Sequence, residues 1–205
     1  QSPAIDYNSK VVLLGSCFAE NMAEKFSYYK FQSEVNPFGV LFHPVAILEF
    51  LTRAHQNKPY TEKDVFFSNG CWQSFQAHSG LNRSSKAALL DTLNTAQTSI
   101  QNQLKMASHV VLTFGTAWMY THIQTNTIVA NCHKQPAQEF KKSILSSDQL
   151  TKTFEAILST LKAFNPEVTT IFSISPVRHL KDGFVENNQS KAHLIAALHS
   201  VLKPS

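Results

Sequence analysis

Short runs of β-branched and other apolar residues alternate along this chain with longer segments in which apolar residues recur every three or four positions. The short runs are predicted strands, and each is followed by small or polar residues: residues 10–14 (KVVLL), 31–35, 109–114 (HVVLTF) and 168–173 (VTTIFS). Strands that are separated by helices usually join a parallel sheet. The alternation therefore predicts an α/β fold with a central parallel sheet.

The segments between these runs have the apolar spacing of amphipathic helices. Predicted helices cover residues 18–26, 44 to about 53, a stretch capped by Ser84 or Ser85, residues 148–164, and a last helix capped by Ser190. Two excursions interrupt the pattern. The first is the aromatic-rich stretch 57–82 with Asn69-Gly70 as a tight turn, and the second is a hairpin within 119–130.

Composition limits the class of protein. With 205 residues, 43% of them hydrophobic and 16% charged, the chain suits a single folded domain, 1–205, rather than a disordered segment. The net charge of +4 comes from scattered basic residues, so we expect no nucleic-acid partner. No stretch approaches the roughly 20 apolar residues of a transmembrane helix, so we expect no membrane span.

The cysteines stand far apart at Cys17, Cys71 and Cys132, with no C-x-x-C pair. This spacing argues against a metal site or a disulfide framework and favours a reducing, cytoplasmic compartment, although one disulfide with one free thiol also fits. The sequence implies no metal and no organic cofactor. It does not fix the oligomeric state.

Candidate site residues follow the predicted strands. In an open parallel sheet, ligands bind outside the carboxyl ends of the strands. The segments at those positions are Gly15-Ser16-Cys17, Asn36 to Gly39, Gly115 to Trp118, and Ser175 to His179. We therefore expect a pocket for a small molecule at this edge of the sheet.

Ser16 and Cys17 lie between a predicted strand and a predicted helix, where free N–H groups and the helix dipole favour a nucleophile. His179 is placed to act as a general base, and Arg178 to bind an anionic group. The plainer alternatives are a helix cap with a small buried cysteine, a solvated histidine and a surface ion pair. Trp118 suits stacking on a sugar or acyl group, or rim packing, and His133 is a further polar candidate.

Five blocks of the sequence resemble one family, in its order: GSCFAENMAEKF from Gly15, VNPFGVLFHP, TFGTAWMY, VANCHK and SPVRHLKDGFVENNQSKAHL. The chain is identified by them as similar to the GSCFA family, which is named after the first block. That family is grouped with the SGNH/GDSL hydrolases. The resemblance implies a flavodoxin-like, three-layer α/β/α domain that cleaves acyl esters through a nucleophile in the first strand–helix turn.

The resemblance also implies roles for individual residues. Setting Gly15 on the glycine of the GDSL motif places Cys17 on the nucleophile, while a turn shifted by one residue would expose Ser16 instead. Gly39 would donate its N–H to an oxyanion. The third block carries Gly115-Thr116-Ala117 where the superfamily has Gly-x-Asn, so Asn36 or Asn131 would replace the missing amide.

SGNH hydrolases and GSCFA sequences continue to an Asp-x-x-His block, and this chain ends at Ser205 before one. We expect a shortened chain without the last strand and helix. The alternative is a protein that lacks the family's base, with His179 as its substitute.

The sequence is compatible with two functions. The first is an SGNH-like hydrolase acting on esters such as O-acyl groups of a carbohydrate. The second is a non-enzymatic module that binds a carbohydrate or an anionic ligand in the same pocket. Nucleotide binding of the flavodoxin type is disfavoured, because no glycine-rich phosphate loop follows the first strand.

Overall fold

The computed structural model describes residues 3–177 and 182–202. Helices and strands alternate through most of this length. In chain order they are β1 (Lys10–Gly15), α1 (Cys17–Tyr28), β2 (Gln32–Val35), α2 (Pro44–His55), β3 (Phe66–Ser68), β4 (Cys71–Gln73), α3 (Lys86–Met106), β5 (His109–Phe114), β6 (Trp118–His122), β7 (Thr127–Val129), β8 (Phe140–Ile144), α4 (Ser147–Phe164), β9 (Thr169–Ile174) and α5 (Phe184–Val201).

The central sheet has four parallel strands in the order β2-β1-β5-β9. Leu14 on β1 lies opposite Leu112 on β5, and Thr113 lies opposite Ser173 on β9. All four carboxyl ends therefore meet at one edge of the sheet. The predicted α/β class and the central parallel sheet are confirmed.

Alternate residues of β1 face opposite layers of helices, as the two-residue period of a strand requires. Val12 and Leu14 belong to the large core that the sheet forms with α2, α3, α4 and α5. Val11 and Leu13 pack instead against Ala19 and Ala23 of α1. A strand buried on both faces explains why residues 11–14 form an unbroken apolar run.

Two smaller antiparallel sheets lie outside the central one. β3 and β4 form the predicted hairpin around Asn69-Gly70, both of which have positive φ as a tight turn requires. β6 pairs with β7 as predicted and also with β8, which the sequence analysis missed. β8 was missed because the residues between Phe140 and Ile144 are polar (Lys-Lys-Ser), so the strand has no apolar run in the sequence.

The last helix begins earlier than its sequence suggested. α5 starts at Phe184, so the predicted cap Ser190 lies inside the helix. The Ser190 side chain is 1% exposed, and its Oγ accepts a hydrogen bond from the backbone N–H of Ala117 at 2.8 Å. A serine at this position therefore links α5 to the end of β5 and does not start the helix.

None of the helices in the described residues is long and apolar enough to cross a membrane.

Candidate functional site

The turn from β1 into α1 depends on Gly15. Its φ is +129°, and a Cβ placed on it would lie 2.0 Å from the carbonyl oxygen of Thr113. The Gly15 N–H donates to Oδ1 of Asn36 at 2.8 Å, and its carbonyl oxygen accepts from the N–H of Leu41 at 3.0 Å. Glycine is required here because the turn is both left-handed and pressed against β5.

Ser16 is held inside the protein. Its backbone N–H lies 2.9 Å from Thr113 Oγ1 and 3.0 Å from the Thr113 carbonyl oxygen, and its own Oγ lies 3.1 Å from Thr113 Oγ1. The residue is 3% exposed and occupies the N-cap position of α1, but its side chain makes no cap hydrogen bond. The hydroxyl group is therefore paired with β5 and is turned away from solvent.

Cys17 is the first residue of α1 and is exposed, with a free thiol. Nothing in the described residues forms a hydrogen bond or ion pair with that thiol. The first N–H groups of a helix have no partner within the helix and carry the positive end of its dipole. Of the two candidate nucleophiles, Cys17 is thus the one that an external substrate can reach.

The end of β2 supplies an amide beside this turn. Asn36 has a φ of 39° and is 8% exposed, and its Nδ2 has no hydrogen-bond partner among the described residues. The N–H of Gly39 already donates to the Asn36 carbonyl oxygen at 2.7 Å. In this arrangement the unused donor is the Asn36 side chain, whereas the Gly39 N–H closes the turn.

The end of β5 is fixed from two sides. The N–H groups of Gly115 and Thr116 both point to the carbonyl oxygen of Phe42, at 3.0 and 3.3 Å. Lys191 of α5 donates from Nζ to the Gly115 carbonyl oxygen at 2.5 Å, and burial lowers the pKa of this amine. Ala117, which stands where the resemblance expects an asparagine, is fully buried and offers only its backbone.

A cavity of about 440 Å³ opens at this end of β5. Its walls are mostly aromatic or apolar and come from the segment after β2, from β6, from the segment after β7 and from the start of α5. The residues that line it are Phe42, His43, Gly115, Thr116, Trp118, Tyr120, Ala130, Asp182 and Asn187. Gly115 and Trp118, both candidate site residues, line this cavity, whereas Ser16 and Cys17 are not among its lining residues.

Charged groups next to Trp118 neutralise each other. Lys142 of β8 forms an ion pair with Asp182, and its Nζ lies 4.5 Å from the centre of the Trp118 ring. A cation above an indole face is attracted by the ring's quadrupole. Among the described residues, the two charges nearest to this aromatic wall are therefore paired with each other.

His43 is a cavity residue that the sequence analysis did not single out. Its Nδ1 accepts the N–H of Ala46 as the N-cap of α2, so Nε2 carries the proton and donates to the carbonyl oxygen of Val129 at 3.1 Å. Burial lowers the pKa of this imidazole. A polar residue directly before Pro44, in the N-cap position, was the signal that could have found it.

Asn131 and His133 lie away from the cavity lining. Oδ1 of Asn131 accepts the N–H of His133, and Nε2 of His133 donates to the carbonyl oxygens of Ser74 and Ala77 at 2.7 and 3.0 Å. Burial lowers the pKa of His133. These contacts tie the loop after β7 to the loop after β4, which is a structural role.

Arg178 and His179 lie outside the described residues. Asn187 and Thr113, by contrast, are described and were missed. Both lie in the sequence blocks quoted for the resemblance: Asn187 before the predicted start of the last helix, and Thr113 at the end of a predicted strand. The described residues contain no group of three His, Cys, Asp or Glu side chains that could hold a metal ion.

Comparison with family models matches residues 10–205 to the GSCFA family. No curated protein and no solved structure matches the chain.

Proposed function

Because the chain belongs to the GSCFA family, we propose that it is an acyl-ester hydrolase of the SGNH type in which Cys17 is the nucleophile and O-acyl carbohydrates are the substrates. The observation that supports this most is the free, exposed thiol at the first position of α1, on the carboxyl edge of a parallel sheet. This position favours the thiolate and places unpaired N–H groups beside it.

The reaction has two steps. The Cys17 thiolate attacks the carbonyl carbon of the ester, the carbon–oxygen bond to the alcohol breaks, and the alcohol leaves with the proton that the thiol gave up. Water then attacks the resulting thioester, which releases the carboxylic acid and restores the thiol. His179 is the candidate base for both proton transfers.

Negative charge develops on the carbonyl oxygen in both steps. The backbone N–H of Cys17 is the proposed first donor to this oxyanion. Nδ2 of Asn36 is the proposed second donor: it is buried and has no other partner among the described residues, and it would have to turn toward the substrate to donate. Asn36 would then provide the side-chain amide that the superfamily has in its Gly-x-Asn block and that Ala117 lacks.

The test compares hydrolysis of short p-nitrophenyl esters by the wild-type protein and by Cys17→Ala, Ser16→Ala and Cys71→Ala. We expect Cys17→Ala to lose at least about 100-fold in kcat/KM, as removal of a covalent nucleophile does. Cys71→Ala is the matched control because it removes a thiol from the hairpin. Mass spectrometry of the quenched wild-type reaction should find the acyl group on the peptide that contains Cys17. Full activity of Cys17→Ala would rule out Cys17 as the nucleophile.

A non-catalytic binding module is the second candidate. It is favoured by the absence, among the described residues, of a base bonded to the Cys17 thiol, and by the aromatic cavity near the end of β5. This function requires saturable ligand binding by a wild-type protein that hydrolyses no ester.

A further inference from the structure

The backbone groups around the cavity at the end of β5 already have partners inside the protein. The N–H groups of Gly115 and Thr116 both point to the carbonyl oxygen of Phe42. The Thr116 hydroxyl accepts the N–H of Trp118 at 3.0 Å and lies 3.2 Å from Oγ of Ser190. A polar ligand would give up its hydrogen bonds with water here and find few groups to replace them.

The polar side chains of the wall are paired or turned away in the same manner. Both ring nitrogens of His43 are bonded to backbone groups, and the carboxylate of Asp182 is paired with Lys142. Nε1 of Trp118 and Oδ1 of Asn187 are buried atoms, so the open cavity does not reach them. The surface that the wall presents to a ligand is therefore mainly carbon.

A carbon surface of this size favours an alkyl chain. Three separate segments of the chain supply it around a space of about 440 Å³: Phe42, Trp118 with Tyr120, and Ala130. This volume falls within the range of about 300–1,000 Å³ for small-molecule sites, and an acetyl group would leave most of it to water. Phe42 is 39% exposed although it is apolar, and each methylene group that covers such a surface gains free energy.

Phe42 also links the cavity to the turn that leads into Cys17. The N–H of the preceding residue, Leu41, donates to the Gly15 carbonyl oxygen at 3.0 Å, and the Phe42 carbonyl oxygen accepts from Gly115. The Phe42 ring packs on the same glycine, since a Cβ placed on Gly115 would lie 3.4 Å from Cδ1 of the ring. The Leu41-Phe42 dipeptide therefore connects the turn before Cys17 with the cavity wall.

We infer that this cavity holds the hydrocarbon chain of an acyl group, with octanoyl as the representative length, and that Phe42, Trp118 and Ala130 set the preference for chain length. The inference rests on the proposed function in one respect, which is that the chain belongs to the ester cleaved at Cys17. Binding of an alkyl chain in the cavity needs no hydrolysis.

The experiment uses the full chain carrying Trp72→Phe, which leaves Trp118 of the cavity wall as the single tryptophan. The probes are 8-bromo-1-octanol and 3-bromo-1-propanol, which contain no ester and whose bromine atom quenches the fluorescence of an indole that it touches. We expect saturable quenching by the octanol with a Kd on the order of 0.1 mM. The propanol should quench without saturation, because each missing methylene group weakens binding about 4-fold.

Two variants, made in the same background, then test the assigned wall. Ala130→Phe fills the cavity, and Phe42→Ala removes an apolar face from it, so each should weaken binding of 8-bromo-1-octanol at least about 10-fold. Ala87→Phe is the matched control, because it places the same new side chain on the exposed face of α3 and should leave Kd unchanged. If Ala130→Phe does not fold, Phe42→Ala, which truncates a partly exposed side chain, still decides the assignment.

Saturable quenching that the cavity variants weaken supports the inference, including where the wild-type protein hydrolyses no ester, a result that would overturn only the proposed function. Quenching by 8-bromo-1-octanol that does not saturate, or that neither variant weakens, would overturn the inference even if esters are cleaved.

Where esters are cleaved, the chain is assigned to the acyl part by a ratio of rates. The kcat/KM for p-nitrophenyl octanoate relative to p-nitrophenyl acetate should fall at least about 10-fold in Ala130→Phe and stay constant in Ala87→Phe. A ratio that Ala130→Phe leaves unchanged would show that the cavity does not hold the acyl chain.

Discussion

At the scale of single residues, the site depends on close contacts around the first turn. Gly15 lets β1 approach β5 so closely that Thr113 reaches the backbone of Ser16 with both its side chain and its carbonyl oxygen. That contact buries the Ser16 hydroxyl and leaves the next side chain, the Cys17 thiol, outside. One glycine and one threonine thus decide which of the two neighbouring candidate side chains is accessible from solvent.

Replacing Gly15 by alanine should lower the free energy of unfolding by about 3 kcal/mol, because the new Cβ meets the Thr113 carbonyl oxygen in a left-handed turn. Urea unfolding followed by circular dichroism measures this. Gly80→Ala is the control: its Cβ would have no neighbour closer than 3.5 Å, so a change of less than about 0.5 kcal/mol is expected. Equal effects of the two substitutions would contradict the tight approach.

At the scale of elements, His43 connects α2 to β7. It caps the helix through Nδ1 and reaches the Val129 carbonyl oxygen through Nε2, and it is 3% exposed. A buried imidazole with both nitrogens committed resists protonation, because Nδ1 would lose its role as acceptor. Protonation of His43 should therefore weaken its contacts with the start of α2 and with β7.

This coupling predicts a stability that falls in mild acid. The unfolded imidazole binds a proton near pH 6.5 while folding lowers the pKa of His43, so below that pH the unfolded state holds more protons and gains stability. His133 acts in the same direction. Glu49 opposes it, because burial raises its pKa to about 7 and the folded state then holds the extra proton.

The variant His43→Asn isolates the contribution of His43 to the pH dependence of stability, since asparagine also caps helices and Glu49 is unchanged. Between about pH 7 and about pH 5, wild-type stability should decrease more steeply than that of the variant, by up to about 1.4 kcal/mol per pH unit. Urea midpoints at several pH values give the two slopes. Parallel slopes would show that His43 takes up its proton without cost in the folded protein.

At the scale of the whole molecule, an ion pair connects the aromatic excursion to the main core. Arg53 of α2 donates to both carboxylate oxygens of Asp64, at 2.9 and 2.8 Å, and to the carbonyl oxygens of Lys58 and Pro59. Its guanidinium carbon lies 3.9 Å from the centre of the Tyr60 ring. Every donor nitrogen of this arginine is used to hold the segment that leads into β3.

Arg53→Met should therefore destabilise the protein by about 3 kcal/mol, since it leaves the Asp64 carboxylate without its partner. The side chains of this pair are 10% and 17% exposed. Lys86→Met breaks the more exposed pair with Glu62, and solvent screening should limit its effect to less than about 1 kcal/mol. Thermal unfolding of both variants measures the difference. A loss that is no larger in Arg53→Met would mean that the excursion is held mainly by its aromatic contacts.

Local sequence patterns were sufficient to predict the helices and strands whose buried residues recur at a regular spacing. The runs at 10–14 and 109–114 are buried on both faces, and α3 and α4 bury one regular stripe, so their type could be predicted from apolar spacing. β8 and the start of α5 could not, because lysines on an exposed face and a serine bonded to another strand give no local signal of their structure.

For the candidate site, the sequence by itself determined which segments meet, because parallel strands bring their carboxyl ends to one edge. It determined that Ser16, Cys17, Asn36 and Gly115 would lie at that edge. Only the tertiary structure decided that the Ser16 hydroxyl is paired with Thr113, that the Gly39 N–H closes its own turn, and that His133 holds two loops. Each of these depends on a partner far away in the chain, and spacing along a sequence carries no information about the distance between such partners.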